Sequence, residues 1–278
     1  MTKKQKTTAR IGMVNFINTA PFYEMWRRTV HRPEWQITEA VPTTLNKMLY
    51  DGELDLGFVS SHEYGLHPNK YKILGGLSIS ATGAVGSVFL FSKRDIHDLD
   101  GCTIGLSSQS QTSVSLVKII VEDFYGLKPK YITRMESTSF ADCDAFLAIG
   151  DEALRLQQAS EFKVKLDLSR AWQKETGLPF VFAVWAVRQD FCETSALTVV
   201  EIHQELQRCI RLGADHLPEI CELVAPRIPM SIKACQAYLQ KMEYDLSEAK
   251  IAALTQFFTL LIARGEIPAD CLPLEICE

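Results

Sequence analysis

A strand, a polar loop and a helix follow one another from Ile11 onward, and the same order starts again at Thr103, so this chain is set to build two α/β units rather than one continuous sheet. In the first block, Ile11, Met13, Val14, Phe16 and Ile17 form a β-rich run that gives way to Asn15, Asn18 and Thr19 and stops at Pro21. Pro21–Val30 has the spacing of a short helix, and Trp35–Ala40 reads as a second strand. Thr43 or Thr44 then caps a helix that buries Leu45, Met48 and Leu49 and ends near Gly52, before a buried strand over Leu54–Val59. Ser60 and Glu63 stand at capping-box spacing, which starts a further helix just beyond this strand. Tyr71–Leu74 and Val85–Ser92 are extended, and the charged, turn-like Lys93–Gly101 marks a crossing. The second block has strands at Thr103–Leu106, Tyr131–Met135 and Ala145–Ile149, with helices over Ser113–Tyr125 and from Gly150-Asp151-Glu152. The apolar run Leu178–Val187 returns the chain to the first unit, and helices fill 195–213, 215–224, 231–241 and 245–264. The expectation is an α/β fold of two lobes with a central ligand cleft and a helical C-terminal segment. Residues 1–92 with 184–278 form the first lobe, and 93–183 form an inserted second.

With 278 residues and 47% hydrophobic content, the chain can bury one large or two moderate cores. Its longest apolar run is about half of the ~20 residues that span a bilayer, so no membrane association is expected. MTKKQKTTAR leads into no signal-type hydrophobic region, which makes the cytoplasm the expected location. A net charge of −5 with scattered lysines and arginines argues against nucleic acid. The eight cysteines are widely spaced without a C-x-x-C, and the six histidines form no H-E-x-x-H. No metal or organic cofactor is expected.

The polar loops carry the chemistry. The Asn18 side chain can donate and accept hydrogen bonds, although an Asn before Pro also closes turns. Ser110, Thr112 and Ser113 open the helix after SSQSQT, where hydroxyls and free backbone N–H groups suit a carboxylate, and where a capping role is equally natural. Ser60 and Ser61 make the same offer from the first block. Asp151, after Gly150, can face the cleft, but an acid in a first helical turn is also expected on dipole grounds.

Six motifs in order carry a likeness: IGMVNFINTAPFY (11–23), GELDLGFVSSHEY (52–64), TGAVGSVFLFSK (82–93), SSQSQTSVSLVK (107–118), LAIGDEAL (147–154) and TGLPFVFAVW (176–185). Through them the chain resembles the chorismate dehydratases of the futalosine route to menaquinone, enzymes with the type II periplasmic-binding-protein fold. Phe16-Ile17 stands where Tyr-Leu is common in that family, and Ala84 where proline is common. The resemblance implies that chorismate, the expected small-molecule partner, loses water to give 3-[(1-carboxyvinyl)oxy]benzoate. It also implies that Asn18 and Ser87 are the catalytic residues, Asn18 positioning the enolpyruvyl end and Ser87 binding a carboxylate or assisting the departing hydroxyl. Ser60, Ser61, Ser110, Thr112, Ser113, Gly150 and Asp151 are the expected substrate-binding set. No general base stands out, since Glu63 or Asp151 would repel a dianion; a substrate carboxylate that takes the proton itself fits this pattern. A small-carboxylate-binding protein of the same fold and the sister enzyme that forms dihydroxynaphthoate are the competing expectations. The sequence does not speak to oligomeric state.

Overall fold

The computed structural model describes residues 8–134, 142–157, 161–228 and 230–277. Its elements run β1 (Ala9–Met13), α1 (Ala20–Thr29), β2 (Trp35–Glu39), α2 (Pro42–Tyr50), β3 (Leu56–Ser60), α3 (Ser61–Leu66), β4 (Tyr71–Ala81), β5 (Val88–Ser92), β6 (Thr103–Ser107) and α4 (Gln111–Lys118). After a π-helical stretch over Ile119–Phe124 come β7 (Lys130–Arg134), β8 (Ala145–Ile149), α5 (Gly150–Leu156), β9 (Val164–Asp167), α6 (Leu168–Thr176) and β10 (Phe180–Arg188). The chain ends with α7 (Gln189–Thr194), α8 (Ala196–Asp215), α9 (Leu217–Val224), α10 (Ile232–Leu239), α11 (Glu248–Ala263) and β11 (Ile276–Cys277). Met135, expected to close a strand, lies outside the described residues.

Two sheets divide these strands. One has the order β11-β4-β10-β3-β1-β2, the other β7-β6-β8-β5-β9. In the first sheet β1 pairs in parallel with β2 and β3, and β10 runs antiparallel between β3 and β4. In the second, β6 is parallel to β7 and β8, while β5 is antiparallel to β8 and β9. Parallel strands need crossovers, and α1, α2 and α4 supply them. The interior strands β3, β5 and β8 are buried along their whole length, as strands covered on both faces must be.

Sheet membership moves both expected boundaries. Val88–Ser92 pairs with β8 and β9, so the first crossing lies at 82–87 and not at 93–101. Five consecutive buried apolar or small residues satisfy either sheet, and only the partner strands decide. β10 belongs wholly to the first sheet, so the return crossing falls just before Phe180. At α2 the expected threonine cap is absent: Val41 occupies the cap position and Pro42 the first turn, where a missing N–H costs nothing.

The main core runs through both lobes, and a separate cluster of Phe89, Phe91, Phe146, Ala148, Ala153 and Phe162 packs the outer face of the second sheet. Aromatic contacts stiffen the first lobe beneath the crossing, where Phe58 meets Phe22 at 5.8 Å and Trp185 at 5.0 Å between ring centroids. The C-terminal helices cover the first lobe, α8 lying along α1. Among the described residues no helix is long and apolar enough to cross a membrane.

Candidate active site

Four chain segments that leave the carboxyl ends of strands converge between the sheets: Val14–Thr19 after β1, Ser60 at the end of β3, Ser107–Ser110 after β6 and Gly150 after β8. In α/β folds that end of the strands is where ligands sit. The cavity they enclose with the 82–87 crossing has apolar walls that include Phe16, Phe58, Ile79, Ile149 and Phe182. Its polar lining comes from Asn18, Thr19, Ser60, Ser87, Ser110 and Ser113. Among the described residues no Asp, Glu, His, Lys or Arg lines it.

Asn18 sits in a short 3-10 turn, Ile17–Thr19. The Thr19 hydroxyl lies 2.7 Å from the Val14 carbonyl and 2.8 Å from that of Phe16, which folds the loop back on its own strand. The Asn18 carbonyl accepts the Tyr244 hydroxyl at 2.7 Å. Its side-chain oxygen Oδ1 is buried without a hydrogen-bond partner. A buried acceptor left unpaired costs about 1–3 kcal/mol, so this atom is suited to a donor that arrives with a ligand.

Ser87 lies in the first crossing and is almost fully buried. Its carbonyl accepts the Gly150 N–H at 2.7 Å, and its Oγ accepts the Tyr238 hydroxyl at 2.9 Å. Gly150 has φ +55°, a left-handed conformation that lets β8 turn directly into α5 beneath Phe16, and a side chain there would be strained. Asp167 fixes the rest of the crossing by accepting the Gly86 N–H at 2.7 Å.

Ser60, Ser110 and Ser113 face the same cavity. The Ser60 hydroxyl oxygen accepts from the Glu63 N–H at 3.3 Å and from Asn46 Nδ2 at 3.1 Å, so it caps α3 and keeps its own proton free. Ser110 caps α4 by accepting the Ser113 N–H at 3.3 Å. The remaining expected residues are engaged by the protein. Ser61 donates to the Val181 carbonyl at 2.7 Å, Thr112 Oγ1 accepts the His62 N–H at 2.9 Å, and Asp151 Oδ1 accepts the Ile17 N–H at 3.3 Å. None of these three lines the cavity. Thr112 and Asp151 instead tie one lobe to the other, because a hydroxyl or carboxylate beside a free helical N–H is satisfied there first. Glu63, set aside as a base on grounds of charge, is also turned away from the cavity. Its carboxylate accepts the Tyr71 hydroxyl at 3.1 Å and stands 3.8 Å from His67 Nε2.

Burial pushes the Glu63 pKa up to about 7 against the stabilising Tyr71 hydrogen bond. The folded protein therefore holds a proton that the unfolded chain releases at lower pH, and stability falls as pH rises from the ordinary carboxylate range to about 7. Glu63→Gln keeps the acceptor for Tyr71 and removes the titration. Thermal melts from pH 5 to 8 are expected to show the variant gaining on the wild-type protein across that window, and parallel melting curves would refute the account.

Two tyrosines, Tyr238 and Tyr244, touch the site and were not singled out in the sequence. They lie more than 50 residues beyond the nearest motif, and no periodicity marks them.

Comparison with known proteins places this site in context. A family model described as Menaquinone biosynthesis matches residues 9–263. The chorismate dehydratase of Thermus thermophilus is 32% identical over 264 residues, which is 89% of this chain and 93% of that one. The 1,4-dihydroxy-6-naphtoate synthase of the same organism is 20% identical over 230 residues, 80% of this chain and 81% of that one. Among solved structures, the alkanesulfonate-binding protein SsuA of Xanthomonas axonopodis pv. citri, bound to MOPS, superposes with a TM-score of 0.71 at 14% identity, covering 95% of each chain. The fold is the two-lobed architecture of periplasmic binding proteins.

Proposed function

The chain belongs to the menaquinone-biosynthesis family, and from that membership we propose that it is a chorismate dehydratase, a hydro-lyase that converts chorismate to 3-[(1-carboxyvinyl)oxy]benzoate and water. The 32% identity to a chorismate dehydratase over nearly the whole chain carries this reading. A cytoplasmic enzyme acting on a soluble metabolite is the reading that accompanies it.

The cavity suits the chemistry. The proton to be removed sits on the ring carbon that bears the enolpyruvyl ether and is vinylogously alpha to the ring carboxylate. Negative charge left by its removal spreads into that carboxylate, and loss of the neighbouring hydroxyl completes an aromatic ring. The protein has to fix a conformation and supply donors. With no ionisable side chain on the cavity wall among the described residues, the enolpyruvyl carboxylate is the base. It reaches the ring proton through a six-membered arrangement, and that proton leaves with the hydroxyl as water. Asn18 holds the enolpyruvyl end through its amide N–H donors so that the carboxylate faces the ring proton, and its unpaired Oδ1 accepts the ring hydroxyl, the one donor a chorismate dianion carries. Ser87 donates to a carboxylate or to the departing hydroxyl, and Ser113, whose hydroxyl accepts from Ser110 at 3.1 Å and keeps its own proton, donates to the other carboxylate from the start of α4.

Purified protein mixed with chorismate, without added metal or cofactor, is expected to consume it and release a product lighter by one water, followed by absorbance and mass detection. Ligand-dependent thermal stabilisation without turnover would overturn the enzymatic reading.

A further inference from the structure

The segment beyond Trp185 holds none of the six motifs, yet it reaches both proposed catalytic residues. Tyr244 donates to the backbone of Asn18 and Tyr238, on α10, donates to the side chain of Ser87. We propose that Tyr238 is a positioning residue that holds the Ser87 hydroxyl as a donor toward the substrate, an inference that rests on the role assigned to Ser87 above.

The argument is one of proton count. A serine hydroxyl has one proton and can both give and accept. The phenol of Tyr238, 2.9 Å away, donates to Ser87 Oγ and takes up its accepting side. Ser87 lines the cavity, so its own proton is left to point there. Tyr238 is 6% exposed and lies behind Ser87, outside the lining of the central cavity. Burial, with the nearby carboxylates of Asp151 and Asp167, opposes its ionisation by more than the Ser87 contact favours it, so the phenol keeps a proton to donate. Without that donor, Ser87 can turn its proton onto a protein acceptor, and the developing negative charge or the departing hydroxyl loses its partner. Such a fault appears in the chemical step more than in binding.

The test is a double-mutant cycle on Ser87→Ala and Tyr238→Phe, with kcat and KM for chorismate and a thermal melt for each protein. Tyr238→Phe keeps the ring, and is expected to lower kcat by about tenfold to a hundredfold while KM moves less than about threefold. In the Ser87→Ala background the same change is expected to cost less than about twofold, because its target is already gone. Equal losses in both backgrounds would overturn the inference, as would wild-type turnover in Tyr238→Phe beside a slow Ser87→Ala. Wild-type turnover in Ser87→Ala would instead remove the assignment of Ser87 and the inference with it. As a second variant, 3-fluorotyrosine at position 238 keeps the hydroxyl and strengthens it as a donor. Its kcat is expected to stay within about threefold of wild type, and a loss as large as that of phenylalanine would also refute the proposal.

Discussion

Replacing Asn18 by alanine is expected to lower kcat/KM for chorismate by about a hundredfold or more, because misplacement of a reacting group by about 1 Å is enough for such a loss. The same substitution is expected to leave the melting temperature unchanged or raised. Asn18 Oδ1 is buried and unpaired in the free protein, and removing an orphan acceptor relieves about 1–3 kcal/mol against a smaller loss of packing. Few substitutions damage activity and help the fold together, and the combination separates a group kept for its ligand from one kept for structure. Asn18→Asp is expected to be worse still for turnover, since it places a formal negative charge where a dianion must enter. Steady-state kinetics and a thermal melt on the same preparations decide the matter. Near wild-type kcat/KM in Asn18→Ala would remove Asn18 from the mechanism.

Gly213→Ala is expected to be strongly destabilising. Gly213 lies on α8 where that helix presses against the start of α1, and a Cβ there would stand 2.2 Å from the Pro21 carbonyl oxygen and 2.5 Å from its carbon. Both are backbone atoms, so neither can rotate aside. Relief requires α8 to lift away from α1, at a cost of roughly 3 kcal/mol or more. For a chain of this size that corresponds to a fall in melting temperature on the order of 10 °C. Pro21 follows the Asn18 loop directly, so kcat/KM is expected to fall as well, although Gly213 is not part of the cavity lining. A melting temperature within about 2 °C of wild type would mean that the two helices do not meet at this point.

The alternation of apolar runs and polar loops was enough to place most strands and helices within a residue or two, since both periods are local properties of the chain. It left β9, α6 and α7 unread and stopped β4 at Leu74 although that strand runs to Ala81, and it could not place partnership. Val88–Ser92 is buried along its length and reads the same in either sheet, and the two-residue strand Ile276–Cys277, which pairs with β4, is too short to have a period. The site divides along the same line. Asn18, Ser60, Ser87, Ser110, Ser113 and Gly150 line one cavity; all but Ser87 lie in a loop or at a helix start that the pattern had marked, and Ser87, in a segment that read as a strand, was reached only through the family resemblance. Ser61, Thr112 and Asp151 belong to the same motifs, but a neighbour distant in sequence takes up each side chain: the carbonyl of Val181, the N–H of His62, the N–H of Ile17. Tyr238 and Tyr244 show the reverse case, residues with no local signal that the fold delivers to the centre.

The wall without formal charge has a consequence for how the catalytic cycle ends. Substrate and product of this dehydration carry the same two carboxylates, so a pocket that gripped them with arginine or lysine would hold both alike and release the second slowly. Here the wall offers hydroxyls, an amide and aromatic faces. What changes in the reaction is shape, as two tetrahedral ring carbons become planar and the bent ring flattens. A pocket that measures contour can let go of a molecule whose charge has not changed.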